Sequence, residues 1–165
     1  MTGTANPELH LTPAQRGTLE ALLRNESDVA YRRRVKTVLR YLDVQSGDRI
    51  LDCGTGMAFY PMVLHSLYKD CSVWGCDMEP RVLDFARQHV DQQRLLLARS
   101  DIQRMPFAND SFDRLIASEI IEHLPDDDQG LAEMYRVLKP GGMLAITVPC
   151  SRYPAWYDPI NRIAE

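Results

Sequence analysis

Apolar positions along this chain change their period once. Up to about residue 45 they recur at helical spacing, and from Arg49 onward short apolar runs alternate with amphipathic stretches. In the first part, Thr12 followed by Pro13 reads as an N-cap with proline at the first helical position, which predicts a helix over residues 14–24. Ser27 predicts the start of a second helix, with Tyr31, Val35, Val38, Leu39 and Leu42 on one face. Arg32, Arg33, Arg34, Lys36 and Arg40 fall largely on its other faces. They read as a solvated surface whose stems cover nearby apolar area, with a substrate-phosphate or RNA contact as the alternative.

Past Gln45-Ser46-Gly47-Asp48 the pattern predicts strands over residues 49–53, 71–76, 94–98, 112–118 and 143–148. Helices are predicted between them over 58–68, 80–90 and 128–138, and Lys139-Pro140-Gly141-Gly142 reads as a turn before the last strand. Strands separated by helices of about ten residues mean βαβ units. The expected fold class is therefore α/β, a doubly wound and mostly parallel sheet with right-handed crossovers. The expected organisation is a helical segment over 1–45, a core over 46–149 and an aromatic, proline-rich segment over 150–165.

Composition narrows the class without naming the chemistry. The chain has 165 residues, 45% hydrophobic and 25% charged, which is ordinary for one globular domain and excludes low-complexity disorder. Lys+Arg 19 against Asp+Glu 23 leaves a net charge of −4, so no general affinity for polyanions follows. There is no basic flank leading into an apolar stretch at the N-terminus and no run of the ~18 apolar residues that a membrane span needs. The expectation is a soluble, cytoplasmic protein. Cys53, Cys71, Cys76 and Cys150 match neither a zinc knuckle nor a redox pair. Cys71 and Cys76 flank a strand and so stand ~16 Å apart, whereas a disulfide tolerates ~7 Å between Cα atoms. Buried thiols in a reducing compartment are expected.

The chemistry is carried at three successive strand ends. Ile50-Leu51-Asp52-Cys53-Gly54-Thr55-Gly56-Met57-Ala58 runs a strand into small residues ahead of a helix, so backbone can approach a ligand closely. A dinucleotide fingerprint would need a third glycine at position 59, which is Phe59. Asp52, two residues before the first glycine, suits instead a ligand with a cationic amine. Asp77, at the end of the second strand, can accept hydrogen bonds from both hydroxyls of a ribose. Asp101 offers an acceptor for an adenine amino group, beside Ile102 to pack on the ring. Ligands of such sheets bind at strand carboxyl ends, so the three segments read as one site.

With these segments in hand the chain, from about Arg49 to Val148, resembles the class I S-adenosylmethionine-dependent methyltransferases. The stretches that carry the likeness are LDCGTGMA, VWGCDMEPRVLDFAR, ARSDIQRMPFANDSFDRLIASEIIEHLPD and RVLKPGGMLAITVP. The resemblance implies a Rossmann-like fold, S-adenosylmethionine as cofactor and S-adenosylhomocysteine as product. It implies that Gly54 and Gly56 line the methionine part beside Asp52, that Asp77 with Met78 holds the ribose, and that Asp101 with Ile102 holds adenine. Ser118 and Glu119 then stand where the methyl group meets its acceptor. The family usually has glycine where this chain has Ala58, which should fit with slightly more crowding. A sulfonium methyl group is already activated, so the absence of a Ser-His-Asp set or a nucleophilic cysteine motif is expected.

Glu119-Ile120-Ile121-Glu122-His123 allows a second chemistry. Two carboxylates and an imidazole in five residues could bind a divalent metal. The segment looks like that of small-RNA 2′-O-methyltransferases and some quinone-pathway O-methyltransferases. Metal-free relatives carry a similar EHLPD, so no metal is expected, and Glu119 and His123 stay candidate catalytic residues. His10, His65 and His89 are expected in surface or packing roles. The resemblance also implies seven strands in the order 3-2-1-4-5-7-6, of which only five are found. The expected protein thus lacks the last two, leaving strand 5 as a bare edge. Tyr153, Trp156 and Tyr157 are expected to fold back on the domain or to pack against a second copy, giving a possible homodimer. The expected function is methyl transfer to a small-molecule acceptor, with RNA possible but not favoured. A non-catalytic cofactor-binding remnant is the remaining alternative.

Overall fold

A computed structural model describes residues 8–24, 26–89 and 95–149, so the segment with Tyr153, Trp156 and Tyr157, together with Cys150, lies outside the described residues. The first helix, α1 (Pro13–Leu22), starts at Thr12 as expected. Thr12 Oγ1 accepts from the Gln15 N–H at 3.2 Å, and the Gln15 side chain accepts from the Thr12 N–H at 2.9 Å. That reciprocal pair satisfies two amides that the helix itself cannot. Helix α2 (Val29–Leu42) is capped by Asp28, one residue after the expected Ser27. The Asp28 carboxylate accepts from Ala30 and Tyr31 at 2.7 and 3.1 Å, and its charge also favours the helix N-terminus.

Five parallel strands follow: β1 (Arg49–Cys53), β2 (Ser72–Asp77), β3 (Leu95–Arg99), β4 (Phe112–Ser118) and β5 (Leu138–Thr147). Their order in the sheet is β3-β2-β1-β4-β5, the order expected for these five. Helices α3 (Phe59–Leu67), α4 (Pro80–His89) and α5 (Asp127–Val137) make the crossovers. Side chains alternate across the sheet. Ile50 joins the core built with α1, α2 and α3, while Leu51 and Cys53 join the core that includes Met134 and Val137 of α5. Cys53, Cys71 and Cys76 are buried free thiols.

Several boundaries differ from expectation, among them two that bear on the sheet. Strand β2 runs one residue later than predicted, because its pairing with β1 sets Cys53 opposite Cys76 and carries Asp77 into a pair with Arg99 of β3. Strand β5 begins at Leu138, so Lys139 to Gly142 are not a turn outside the sheet. Phe112 pairs with Leu138 and Arg114 with Met143, so the four residues are absorbed as an irregularity opposite Asp113. Asp113 fastens it: its carboxylate accepts from Lys139 Nζ at 2.8 Å and from the Arg49 N–H at 2.9 Å. Arg114 ties the same end of the sheet to α2, donating to the Asp43 carbonyl and pairing with Asp48 at 3.3 Å.

The loop between β3 and β4 is held by one guanidinium. Arg136 on α5 donates to both oxygens of Glu133, to the carbonyls of Met105 and Phe107, and to Asn109, at 2.7 to 3.0 Å. Glu133 in turn accepts from the Met105 N–H at 2.9 Å. All five N–H donors of the guanidinium are used. Arg136→Met is expected to lower stability by about 1.5–3 kcal/mol, since it strands Glu133 and two carbonyls. Urea unfolding checks this, and an unchanged midpoint would show that solvent replaces the whole set.

Candidate functional site

The site forms where β1 gives way to α3. Gly54 and Gly56 have φ of +73° and +52°, the left-handed region that a side chain disfavours. The turn they make is fixed by the end of β2. Gly54 and Thr55 both donate to the Cys76 carbonyl at 2.9 Å, and Gly56 donates to Asp77 Oδ2 at 2.9 Å. A Cβ on Gly54 would meet the Ile120 side chain at 2.5 Å, so the chain after β4 closes over this turn. Ala58 also lies in the left-handed region, at φ +62°, and is fully buried. The expected crowding is therefore not its main burden. Left-handed backbone costs an alanine roughly 1–2 kcal/mol, partly offset by burial of its methyl group.

Asp52 is 2% exposed, and its Oδ2 has no hydrogen-bond partner among the described residues. Burial pushes its carboxyl up to about 7, with a smaller opposing effect from Thr55 and a further rise from Asp77. Asp77 is used differently. While Oδ2 holds Gly56, Oδ1 accepts from the Glu79 N–H at 2.9 Å, so one carboxylate shapes the turns after both β1 and β2. Each oxygen retains acceptor capacity. Met78 is exposed beside it, as is Met57 at the glycine turn, a residue the sequence reading passed over. Asp101 is exposed and caps a short 3₁₀ turn by accepting from Gln103 at 2.9 Å. Ile102 is buried among apolar residues that include Leu51 and Met105. The Ser100 N–H donates to the Asp77 carbonyl at 3.0 Å, which joins the ends of β2 and β3.

At the end of β4 the structure assembles groups that are distant in sequence. Ser118 Oγ is 2.9 Å from Thr147 Oγ1 of β5 and 3.4 Å from the Tyr60 hydroxyl of α3. Burial pushes Tyr60 up to about 12. Glu119 sits at φ +54°, and its carboxylate pairs with Arg34 of α2 at 3.2 Å, the two side chains 27% and 26% exposed. Arg34 also lies 5.6 Å from the centre of the Tyr31 ring, which packs edge-on against Phe59. The expectation of a solvated face thus fails for Arg34, while Arg32 and Lys36 pair with Glu20 in partly exposed bridges. In the sequence Tyr31 stands out only as part of an apolar stripe, and Tyr60 and Thr147 give no signal beyond their place in a helix and a strand.

Glu122 and His123 are exposed on a second 3₁₀ turn. Among the described residues no group of three His, Cys, Asp or Glu side chains is placed to hold a metal ion. The geometry instead offers a strained backbone turn, a buried carboxylate and a row of hydroxyl groups. Such groups bind and orient.

Comparisons with known proteins agree in kind. A family model described as "Methyltransferase domain" matches residues 51–146. The chain is 38% identical over 109 residues to Methyltransferase GfsG of Streptomyces halstedii, covering 64% of this chain and 39% of that protein. It is 32% identical over 131 residues to Demethylmenaquinone methyltransferase of Listeria welshimeri, covering 76% and 56%. One chain of the complex between the Haloferax volcanii Trm112 methyltransferase activator and a methyltransferase superposes with a TM-score of 0.66 at 27% identity. That match covers 82% of this chain and 57% of the other. The chain thus spans about half the length, or less, of these relatives.

The two glycines of the turn should respond differently to a methyl group. Gly54→Ala adds a collision with Ile120 to the left-handed strain, and is expected to cost about 2–4 kcal/mol. Gly56→Ala, where nothing lies within 4 Å of the added Cβ, should cost only about 1–2 kcal/mol. Urea unfolding of both variants measures the difference, and equal losses would show that Ile120 yields freely.

Proposed function

We propose, for a chain that belongs to the class I S-adenosylmethionine-dependent methyltransferases, that the ends of β1 to β4 bind S-adenosylmethionine and present it to a small-molecule acceptor. When bound, the cofactor supplies a methyl group on a sulfonium, already activated for displacement. What remains for the protein is alignment, which can supply ~7–11 kcal/mol. The observation that carries the reading is the buried, unpartnered oxygen of Asp52 behind a turn of two left-handed glycines. A cationic group in front of that turn is the partner such an oxygen lacks.

In this reading Asp52 faces the methionine amine, and Gly54 and Gly56 let the methionine part approach the backbone. Asp77, with Met78 beside it, accepts from the ribose hydroxyls while holding the turn, and Asp101 and Ile102 border the adenine. Ser118 and Glu119 stand nearest the acceptor. Arg34, Tyr31 and Tyr60 extend that wall, so α2 and α3 contribute to acceptor choice. Their aromatic faces and an internally neutralised ion pair suit a neutral, planar acceptor. The Listeria relative, named for demethylmenaquinone, is compatible with that class.

Metal-assisted O-methyl transfer is the lesser reading, since Arg34 already engages the Glu119 carboxylate. Free buried thiols support a reducing, cytoplasmic setting, and no described helix is long and apolar enough to cross a membrane. Strand β5 pairs only with β4 among the described residues and exposes Met143 and Ile146, which supports self-association through that edge.

Asp77→Ala should weaken S-adenosylhomocysteine binding by about 1.5–3 kcal/mol, through lost bonds to a charged acceptor and a loosened Gly56. Calorimetry of both proteins measures this. Unchanged affinity removes Asp77 from the site, and greater thermal stabilisation by NAD than by S-adenosylhomocysteine overturns the cofactor assignment.

A further inference from the structure

Asp52 faces the helical layer of α2 and α3 from the last turn of β1, and each element packed around it matters to its charge. Asp77 on β2 opposes ionisation, and the Thr55 hydroxyl favours it. Tyr31 of α2 and Tyr60 of α3 lie close enough to feel the carboxylate, as does the neighbouring thiol of Cys53. All three hold their protons and bring no positive charge. Arg34 of α2, 5.6 Å from the centre of the Tyr31 ring, is taken up by Glu119 at 3.2 Å. No ion pair reaches Asp52 among the described residues, and its Oδ2 has neither solvent nor a hydrogen-bond donor. Apart from Thr55, an ionised carboxylate so placed finds little compensation among the described residues.

We propose that a nucleoside carrying an amino-acid ammonium group binds this site with release of a proton from Asp52, so that occupancy depends on pH. The inference rests on the cofactor reading above. A carboxyl near 7 in the free protein falls by 1–3 units once a positive charge stands within about 4–6 Å, without direct contact. The sign follows: near neutral pH the free carboxyl is partly protonated, the bound one is ionised, and the proton leaves to solvent. Affinity therefore rises with pH up to about 8 and falls roughly fivefold from pH 7 to pH 6.

The test titrates the full chain with S-adenosylhomocysteine near pH 7 in two buffers of different ionisation enthalpy. The control is 5′-methylthioadenosine, which has the same nucleoside and thioether but no ammonium group. Release of about half a proton is expected with S-adenosylhomocysteine and none with methylthioadenosine. Asp52→Asn should abolish the release and flatten the pH dependence. Binding of S-adenosylhomocysteine without proton release overturns the inference and leaves the cofactor reading standing. So does equal release with methylthioadenosine or in Asp52→Asn. Should that variant fail to fold, the contrast between the two ligands on the native protein decides alone. Failure of both ligands to bind overturns the cofactor reading, and this inference with it.

Discussion

The turn after β1 is shaped from outside itself. Three consecutive amides, those of Gly54, Thr55 and Gly56, are satisfied by Cys76 and Asp77, the last two residues of β2. The start of α3 and the position of Asp52 therefore depend on how β2 ends. Asp77 is both a structural clamp and the group most suited to a ribose, so shape and recognition are linked in one side chain. The Asp101 carboxylate, by contrast, accepts only from its own 3₁₀ turn among the described residues. Its role toward a ligand is separable from the fold.

The sheet also divides labour between its faces. The α5 side is lined by apolar residues, among them Ile102, Met105 and Phe112, beside a loop fixed by Arg136. On the α2 and α3 side the strand ends carry Asp52, Ser118 and Thr147 instead, with Tyr31, Arg34 and Tyr60 arriving from the helices. Hydroxyls and charges are tolerated there because they satisfy one another, as Ser118 does with Thr147. Asp52 is the member of that group with an oxygen left over. Chemistry is thus confined to the strand ends on the α2 and α3 side, while both faces of the sheet carry a buried apolar core.

Much of this was legible in the sequence, for local reasons. The ends of β1 and β4 followed from apolar runs and turn chemistry, the α1 cap from Thr12-Pro13, and the strand order from the family resemblance. What escaped was set by partners distant in sequence. Proline and glycines at 140–142 signal a turn, yet Asp113 draws them into β5. Asp28 displaced Ser27 as the α2 cap because a carboxylate there reaches two amides. Arg34 looked like any surface arginine, since only the fold brings Glu119 to it. Ala58 showed its departure from glycine, but its backbone angle could not be read from the letters.

The strand order also fixes a sequence of events in time. β1 lies at the centre of the sheet, between β2 and β4. Its second neighbour comes late, for Arg49 and its partner Asp113 are 64 residues apart. On a ribosome, β1 to β3 emerge as a three-stranded fragment in which the strand most fully buried in the finished sheet has one open side. At about 5–20 residues per second, that side waits several seconds for β4. The fragment's survival through that interval depends on α1, α2 and α3, which are already made and cover one of its faces. The two helices ahead of the sheet act, in that interval, as an escort for a half-built core.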